Sequence, residues 1–245
     1  MKSHQQIICI MLPTYNEVKT IATLIDSLIS TSKQLPHCQM HVLVVDDNSS
    51  DGTADIVKNK QREFPFLYLT QDEKQGLGKA YLRGLLWVLD NLPRVEHVLI
   101  MDADLSHDPK YIADFLHFAH EGYDFIIGSR YVEGGDCLGW NWQRKTLSYW
   151  GNQYIRFASR VPSVHDWTSG YRCISTDLLK KIDFQQLLIT GYAFNMSFLY
   201  KAIKEGARIK ELPIVFVNRK EGESKLKWND VIEYFLTATS LYSRN

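Results

Sequence analysis

An α/β fold built on a mostly parallel sheet is predicted by three observations. Short apolar runs of strand length alternate with helical patterns through the first 130 residues, and polar clusters stand just after several of the runs. The chain has 245 residues with 45% hydrophobic and 23% charged content, which suits one large globular unit with a sizeable core.

The elements follow in order. QIICIML (6–12) is the first strand, and a helical pattern runs over 17–32. MHVLVVDD (40–47) is the second, and NSSDGT supplies capping residues for a helix over 52–62. PFLYLTQ (65–71) precedes a helix over 77–91, and EHVLIMD (96–102) precedes one over 108–120, with Asp108 and Pro109 at N-cap and N1. YDFIIGS (123–129) is the fifth strand. Runs this apolar are strands buried on both faces. The second half is less regular. Residues 140–160 are rich in Trp, Tyr and Arg, then come DWTSGYR (166–172), a helix near 191–205, a hairpin at 207–218, the basic stretch NRKEGESKLKW (218–228) and a closing helix over 229–242. No repeat or linker divides the chain. We read it as one domain over 1–245, with halves at about 7–130 and 131–245.

Composition excludes several classes. Lys plus Arg and Asp plus Glu are both 28, so no general attraction to nucleic acid is expected. The four cysteines form no CxxC pair and read as reduced, intracellular thiols. No signal peptide is read, and no apolar run approaches the ~20 residues that cross a bilayer. In EKQGLGKAY, Glu73 stands at the first glycine position of a P-loop and Ala80 at its hydroxyl position. A dinucleotide-type GxGxxG is also absent.

Open α/β sheets bind ligands at the carboxyl ends of their strands, where MLPTYNE, VVDDNSSDG and MDADLSHDP all stand. In the last, Asp102 and Asp104 follow a buried run. In an extended strand, residues i and i+2 point to one side, roughly 7 Å apart. Two such carboxylates suit a hard divalent cation, Mg2+ or Mn2+, that clamps a diphosphate and offsets charge on a departing nucleotide. The plainer alternative is a strand terminator.

The motifs LPTYNE, VVDDNSSDGT, GLGKAYLRG, MDADLSHDP, GSRY, DWTSGYR and RKEGESKL resemble, in order and spacing, those of polyprenol-phosphate mannose synthases. These are inverting family-2 glycosyltransferases with a GT-A fold. The resemblance implies transfer of mannose from GDP-mannose to a dolichyl or undecaprenyl monophosphate. It assigns Pro13, Tyr15 and Glu17 to the nucleotide, Val45 and Asp47 to its base and ribose, and Asp102, Ala103 and Asp104 to metal and diphosphate. It makes Arg130 a phosphate-facing residue, Arg144 and Ser148 ligands of the acceptor phosphate, and Arg219 and Lys225 basic residues of a loop closing over the donor. Asp104, Arg130, Arg144 and Arg219 would carry catalysis. Several relatives have Gln where this chain has Ser106, which leaves a third, indirect metal contact there open. Relatives often carry transmembrane helices after the catalytic domain. Here either aromatic helices or a separate small membrane subunit would bring the enzyme to the cytoplasmic membrane face.

The acceptor sets the mechanism. A phosphate monoester has a second pKa of about 6 and is largely dianionic at neutral pH, so it attacks without a general base. Asp166 would be the base for a sugar-hydroxyl acceptor, and an orienting residue for a phosphate one. Asp46 is expected to order its turn, Glu17 to favour a helix start, and His107 and His165 to be structural. Alternatives are a UDP-glucose-dependent transferase on the same scaffold and a non-catalytic nucleotide-sugar-binding subunit of a membrane complex.

Overall fold

The computed structural model describes residues 5–188, 193–218 and 239. Arg219, Lys225, the basic stretch beyond Asn218 and most of the expected closing helix lie outside them. The first strands and helices stand where periodicity puts them: β1 (Gln6–Thr14), α1 (Ile21–Gln34), β2 (Cys38–Asp46), α2 (Thr53–Gln61), β3 (Leu67–Gln71), α3 (Leu77–Asn91), β4 (His97–Ile100), α4 (Ile112–His120) and β5 (Phe125–Ser129). Asp108 accepts from the Lys110 N–H and caps a single 3-10 turn, Pro109–Tyr111, that leads into α4. Helix α1 starts four residues later than expected. The Glu17 carbonyl accepts from Thr20 and Ile21, so Glu17 belongs to the turn before the helix.

The remaining described elements are β6 (Asp136–Leu138), α5 (Trp142–Ser159), β7 (Arg172–Ser175), α6 (Thr176–Leu179), α7 (Ala193–Lys204), β8 (Ile209–Pro213) and β9 (Val215–Val217). One seven-stranded sheet has the order β3-β2-β1-β4-β7-β5-β8, and β6 and β9 form a second, two-stranded sheet. Strand β7 runs antiparallel to both β4 and β5, and the other neighbours in the large sheet are parallel. One expectation fails here. The hairpin at 207–218 is not one: β8 pairs with β5 and β9 with β6, each in parallel. DWTSGYR leads into a central strand that carries the second half of the chain into the sheet of the first. Its apolar run, Cys173–Ile174, is too short to give a period.

The two faces of the sheet explain the alternation. Ile8, Ile10 and Leu12 of β1 point to a core shared with Leu24 and Leu28 of α1, Val57 of α2 and Phe115 of α4. Cys9 and Met11 point the other way, to Tyr81 and Leu85 of α3, Ile155 of α5 and Phe198 of α7. Each fully buried Leu, Ile or Val contributes about 1.5–3 kcal/mol. Helix α3 crosses β1 and β2 at Gly84, where an added Cβ would strike the Met11 side chain and lie 2.7 Å from Val45 Cγ2. Close helix–sheet packing therefore requires glycine at that position.

Candidate active site

Three loops leave the carboxyl rim after β1, β2 and β4, and each contains a non-glycine residue at positive φ: Asn16 (58°), Asn48 (56°) and Leu105 (64°). Asn tolerates this conformation; Leu is rarely found in it.

The first two loops are zipped together by short polar side chains. Asn16 N–H donates to Ser49 Oγ (2.8 Å), Glu17 N–H to Thr53 Oγ1 (2.9 Å) and Val18 N–H to Asp51 Oδ2 (3.0 Å). Asp46 is fully buried and accepts from the hydroxyls of Thr14 and Ser49, the Ser49 N–H and the Gln71 amide. It orders the turn, as expected. Asp47 is held differently: its Oδ2 accepts from Gly76 N–H and its Oδ1 from Arg83 Nη2, both at 3.0 Å. Gly76 stands at φ 92°, a conformation open to glycine, which aims its N–H at the carboxylate. Arg83 also donates to the Asp46 carbonyl and lies 3.7 Å from Asp72. Arg83 lies in the GLGKAYLRG motif, which assigns it no role; it sits on α3, two turns from Gly76, and reaches Asp47 only through the fold. Pro13 and Val45 are buried register partners in β1 and β2. The Tyr15 ring carries Lys74 Nζ at 3.7 Å.

The third loop corrects one geometric expectation. Strand β4 ends at Ile100, so Asp102 and Asp104 are not successive positions of one strand face; they occupy a turn that reverses at Leu105. Asp104 is buried, and its Oδ1 accepts from the Ser106 N–H (3.0 Å) and hydroxyl (2.5 Å). Ser106 therefore braces Asp104. Asp102 is more open, its side chain 28% exposed. Ala103 between them is buried. Among the described residues no group of three His, Cys, Asp or Glu side chains is arranged to hold a metal ion. Two hard carboxylates still fit a cation that keeps waters or takes diphosphate oxygens as further ligands.

The loop 166–170 passes beside this turn, for a Cβ added at Gly170 would lie 3.4 Å from Asp102 Oδ1. Its first residue, Asp166, is wholly buried and forms a bidentate pair with Arg130: Nε to Oδ2 and Nη2 to Oδ1, both 2.7 Å. Arg130 Nη2 also donates to Thr168 Oγ1, and Asp166 accepts from the backbone N–H of Arg130 and Ser169. Burial alone would raise the Asp166 pKa, but the Arg130 charge and these hydrogen bonds outweigh it and lower it below the ordinary carboxylate value. The same pairing holds Arg130 firmly charged against its own burial. Neither partner is a bare group.

Around this pair the second half assembles. Asn152 of α5 accepts from Trp167 N–H and donates to Thr168 Oγ1. Glu211 of β8 accepts from the Asp166 and His165 N–H groups and lies 2.8 Å from His165 Nδ1. Arg172 is fully buried and donates to the carbonyls of Ser169, Asn195 and Trp167; burial lowers its pKa to about 10, so it stays charged at neutral pH. Ser148 accepts from the Tyr131 hydroxyl (2.6 Å), a phenol that burial pushes up to about 12. Arg144 lies over the Trp140 ring at 3.9 Å and donates to Asn218 Oδ1. Ser148 and Arg144 thus share helix α5, and Asn218 brings Arg144 to the residue just before Arg219.

The aromatic segment divides. Trp167 is core, whereas Trp142 (73%), Trp150 (65%) and Phe157 (80%) stand exposed on α5. Among the described residues no helix is long and apolar enough to cross a membrane. Two shallow clefts, lined by Pro93–Val95 with His97 and Asp124 or with His41 and Tyr68, open at the opposite rim of the sheet. They lie away from the polar loops.

Residues 9–183 match the glycosyl transferase family 2 model. The chain is 37% identical over 227 residues to a polyprenol monophosphomannose synthase of Mycolicibacterium smegmatis, covering 91% of this chain and 82% of the relative. It is 36% identical over 231 residues to an undecaprenyl-phosphate mannosyltransferase of Micrococcus luteus, covering 94% and 91%. Among solved structures, mannosyl-3-phosphoglycerate synthase from Rubrobacter xylanophilus superposes with a TM-score of 0.70 at 19% identity, covering 98% of this chain and 73% of that one. A mannosyltransferase from Pyrobaculum calidifontis, solved with GDP-Man and Mn2+, gives 0.64 at 18%, covering 97% and 64%. At these identities the structural likenesses concern the fold.

Proposed function

The chain belongs to glycosyl transferase family 2, and from that premise we propose that it transfers mannose from GDP-mannose to a polyprenyl monophosphate with inversion. The whole chain acts as one catalytic unit, with the donor on the loops after β1, β2 and β4 and the acceptor against α5 and the 130–131 turn. One observation carries the choice of acceptor: Asp166, the carboxylate available as a base, is sequestered by Arg130. A buried carboxylate with a lowered pKa and two arginine hydrogen bonds is a poor proton acceptor. An acceptor that arrives already ionised needs none.

In this reading Pro13, Tyr15, Glu17, Val45 and Asp47 receive the nucleoside, while Asp102, Ala103 and Asp104 face the diphosphate. A divalent cation on Asp102 and Asp104 supplies charge neutralisation for the departing diphosphate. Arg144, Ser148 and the Arg130–Asp166 pair orient the acceptor phosphate, with Arg219 and Lys225 closing from the basic stretch. One phosphate oxygen attacks the anomeric carbon as the bond to the diphosphate oxygen breaks, giving a β-linked mannosyl lipid phosphate and GDP. The protein's contribution is to hold two anions in line, through arginine forks and fixed geometry. The exposed Trp142, Trp150 and Phe157 on α5 meet the headgroup region, where amphipathic aromatics are favoured. The enzyme works peripherally at a cytoplasmic membrane face, and a small membrane subunit would add to that anchoring.

A donor panel tests this. Purified protein, undecaprenyl phosphate in detergent and Mg2+ or Mn2+ are given labelled GDP-mannose or UDP-glucose, and label in the lipid fraction is counted. Transfer from GDP-mannose is expected. Transfer from UDP-glucose alone would replace the donor, and undiminished transfer in excess chelator would remove the cation.

A further inference from the structure

Just past the end of β4 the main chain loses its sheet partner. Met101 N–H still donates to Met11 O (3.1 Å), but Asp102 N–H donates instead to a side chain, His107 Nδ1, at 2.9 Å. An amide N–H can only donate, so Nδ1 is the acceptor and the neutral ring carries its proton on Nε2. The bond closes the 102–107 turn, which Leu105 at positive φ makes possible. The ring is clamped from two sides. Tyr171 stacks on it at 4.7 Å and 15°, and Phe216 of β9 meets it edge-on at 5.5 Å and 77°. Its side chain is 1% exposed, so it does not itself meet substrate. Any buried aromatic would satisfy the stacking; the lone pair aimed at the Asp102 amide is what a hydrocarbon ring lacks.

We propose that His107 is a positioning residue for Asp102, fixing through its Nδ1 the backbone from which that carboxylate reaches the cation. The proposal rests on the cation reading given above. Supports of this kind change metal affinity by roughly 10–100-fold when removed. They act through orientation, so binding of nucleotide without metal is unaffected.

The test compares wild type, His107→Phe (ring kept, acceptor lost) and His107→Asn (acceptor kept, ring lost). Mn2+ binding in the presence of GDP is measured by electron paramagnetic resonance, metal-free GDP binding by calorimetry, and melting temperature alongside. His107→Phe is expected to bind Mn2+ at least ~10-fold more weakly with metal-free GDP binding unchanged, and His107→Asn to recover most of the loss despite a lower melting temperature. Wild-type Mn2+ affinity in His107→Phe overturns the proposal, as does a loss in both variants that follows melting temperature. If His107→Phe does not fold, His107→Leu takes its place under the same criteria. Absence of Mn2+ binding in the wild type would instead sink the cation reading beneath it.

Discussion

The rim-loop end of this site, proposed for the donor, and the α5 end, proposed for the acceptor, are built from different materials. At the first end, Asp46, Asp47 and Asp51, and Asp104 through its Oδ1, are held by N–H groups, hydroxyls and one arginine, mostly from the same or the neighbouring rim loop. At the other end, the buried Arg130–Asp166 pair draws its supports from α5, β8 and the 166–170 loop, across separations of up to 45 positions. The first arrangement presents fixed oxygens to something positive. The second spends one carboxylate, Asp166, on holding an arginine in place. The contrast is what a reaction between two anions requires: neutralisation at one end, orientation of a ready nucleophile at the other.

Substitutions sharpen or break the contrast, the largest effect first. Asp104→Ala should lower kcat/KM on the order of a thousandfold, as loss of a group acting on developing charge does. Its melting temperature should fall only slightly, because the loss is confined to the Ser106 turn; full activity in this variant would reduce the turn to a strand terminator. Asp166→Ala should do the opposite kind of damage. Leaving Arg130 buried and unpaired costs about 3–5 kcal/mol, read as a lower urea midpoint. Because the folded Asp166 pKa is depressed, its contribution to stability is complete above its unfolded value, about 3.9, and is lost as pH falls through the lower folded value. Wild-type stability should therefore owe no pH dependence to Asp166 between pH 5 and 8. A base role would instead place an activity limb within that window.

Arg83→Ala should raise the KM for donor by about tenfold with a smaller change in kcat, since a hydrogen bond to a charged group is worth about 1.5–3 kcal/mol. Arg83→Lys should restore part of it. Equal effects on acceptor KM would place Arg83 outside the donor end. The smallest effect is expected from Trp142→Ser with Trp150→Ser: a several-fold rise in KM for a long-chain acceptor in vesicles, and little change for a short-chain acceptor in solution. Identical behaviour with both acceptors would make the exposed aromatic stripe irrelevant to lipid.

How much of this was legible beforehand differs between the same two ends. Asp46 as a turn-former and Asp108 as a cap follow from short-range chemistry in the sequence, and the structure places both where that chemistry needs them. Ser106, open from the sequence, braces Asp104 with its N–H and hydroxyl. Glu211 and Asn152 gave no signal, and GLGKAYLRG contains Arg83 without giving it a role, because each acts on a residue 15 to 45 positions away through a hydrogen bond or ion pair that no local spacing encodes. The expected hairpin over 207–218 failed for a related reason: two adjacent extended runs look like a hairpin until other strands compete for their edges.

By itself the sequence determined the alternating strands and helices, the polar rim and the family, because periodicity, capping and motif order are properties of neighbouring residues. The tertiary structure alone decided that β7 would enter the sheet antiparallel between β4 and β5, that Asp102 and Asp104 would share a turn rather than a strand face, and that Asp166 would be locked to Arg130. These are long-range pairings, fixed only when burial makes an unpaired backbone group or a lone charge too costly to leave.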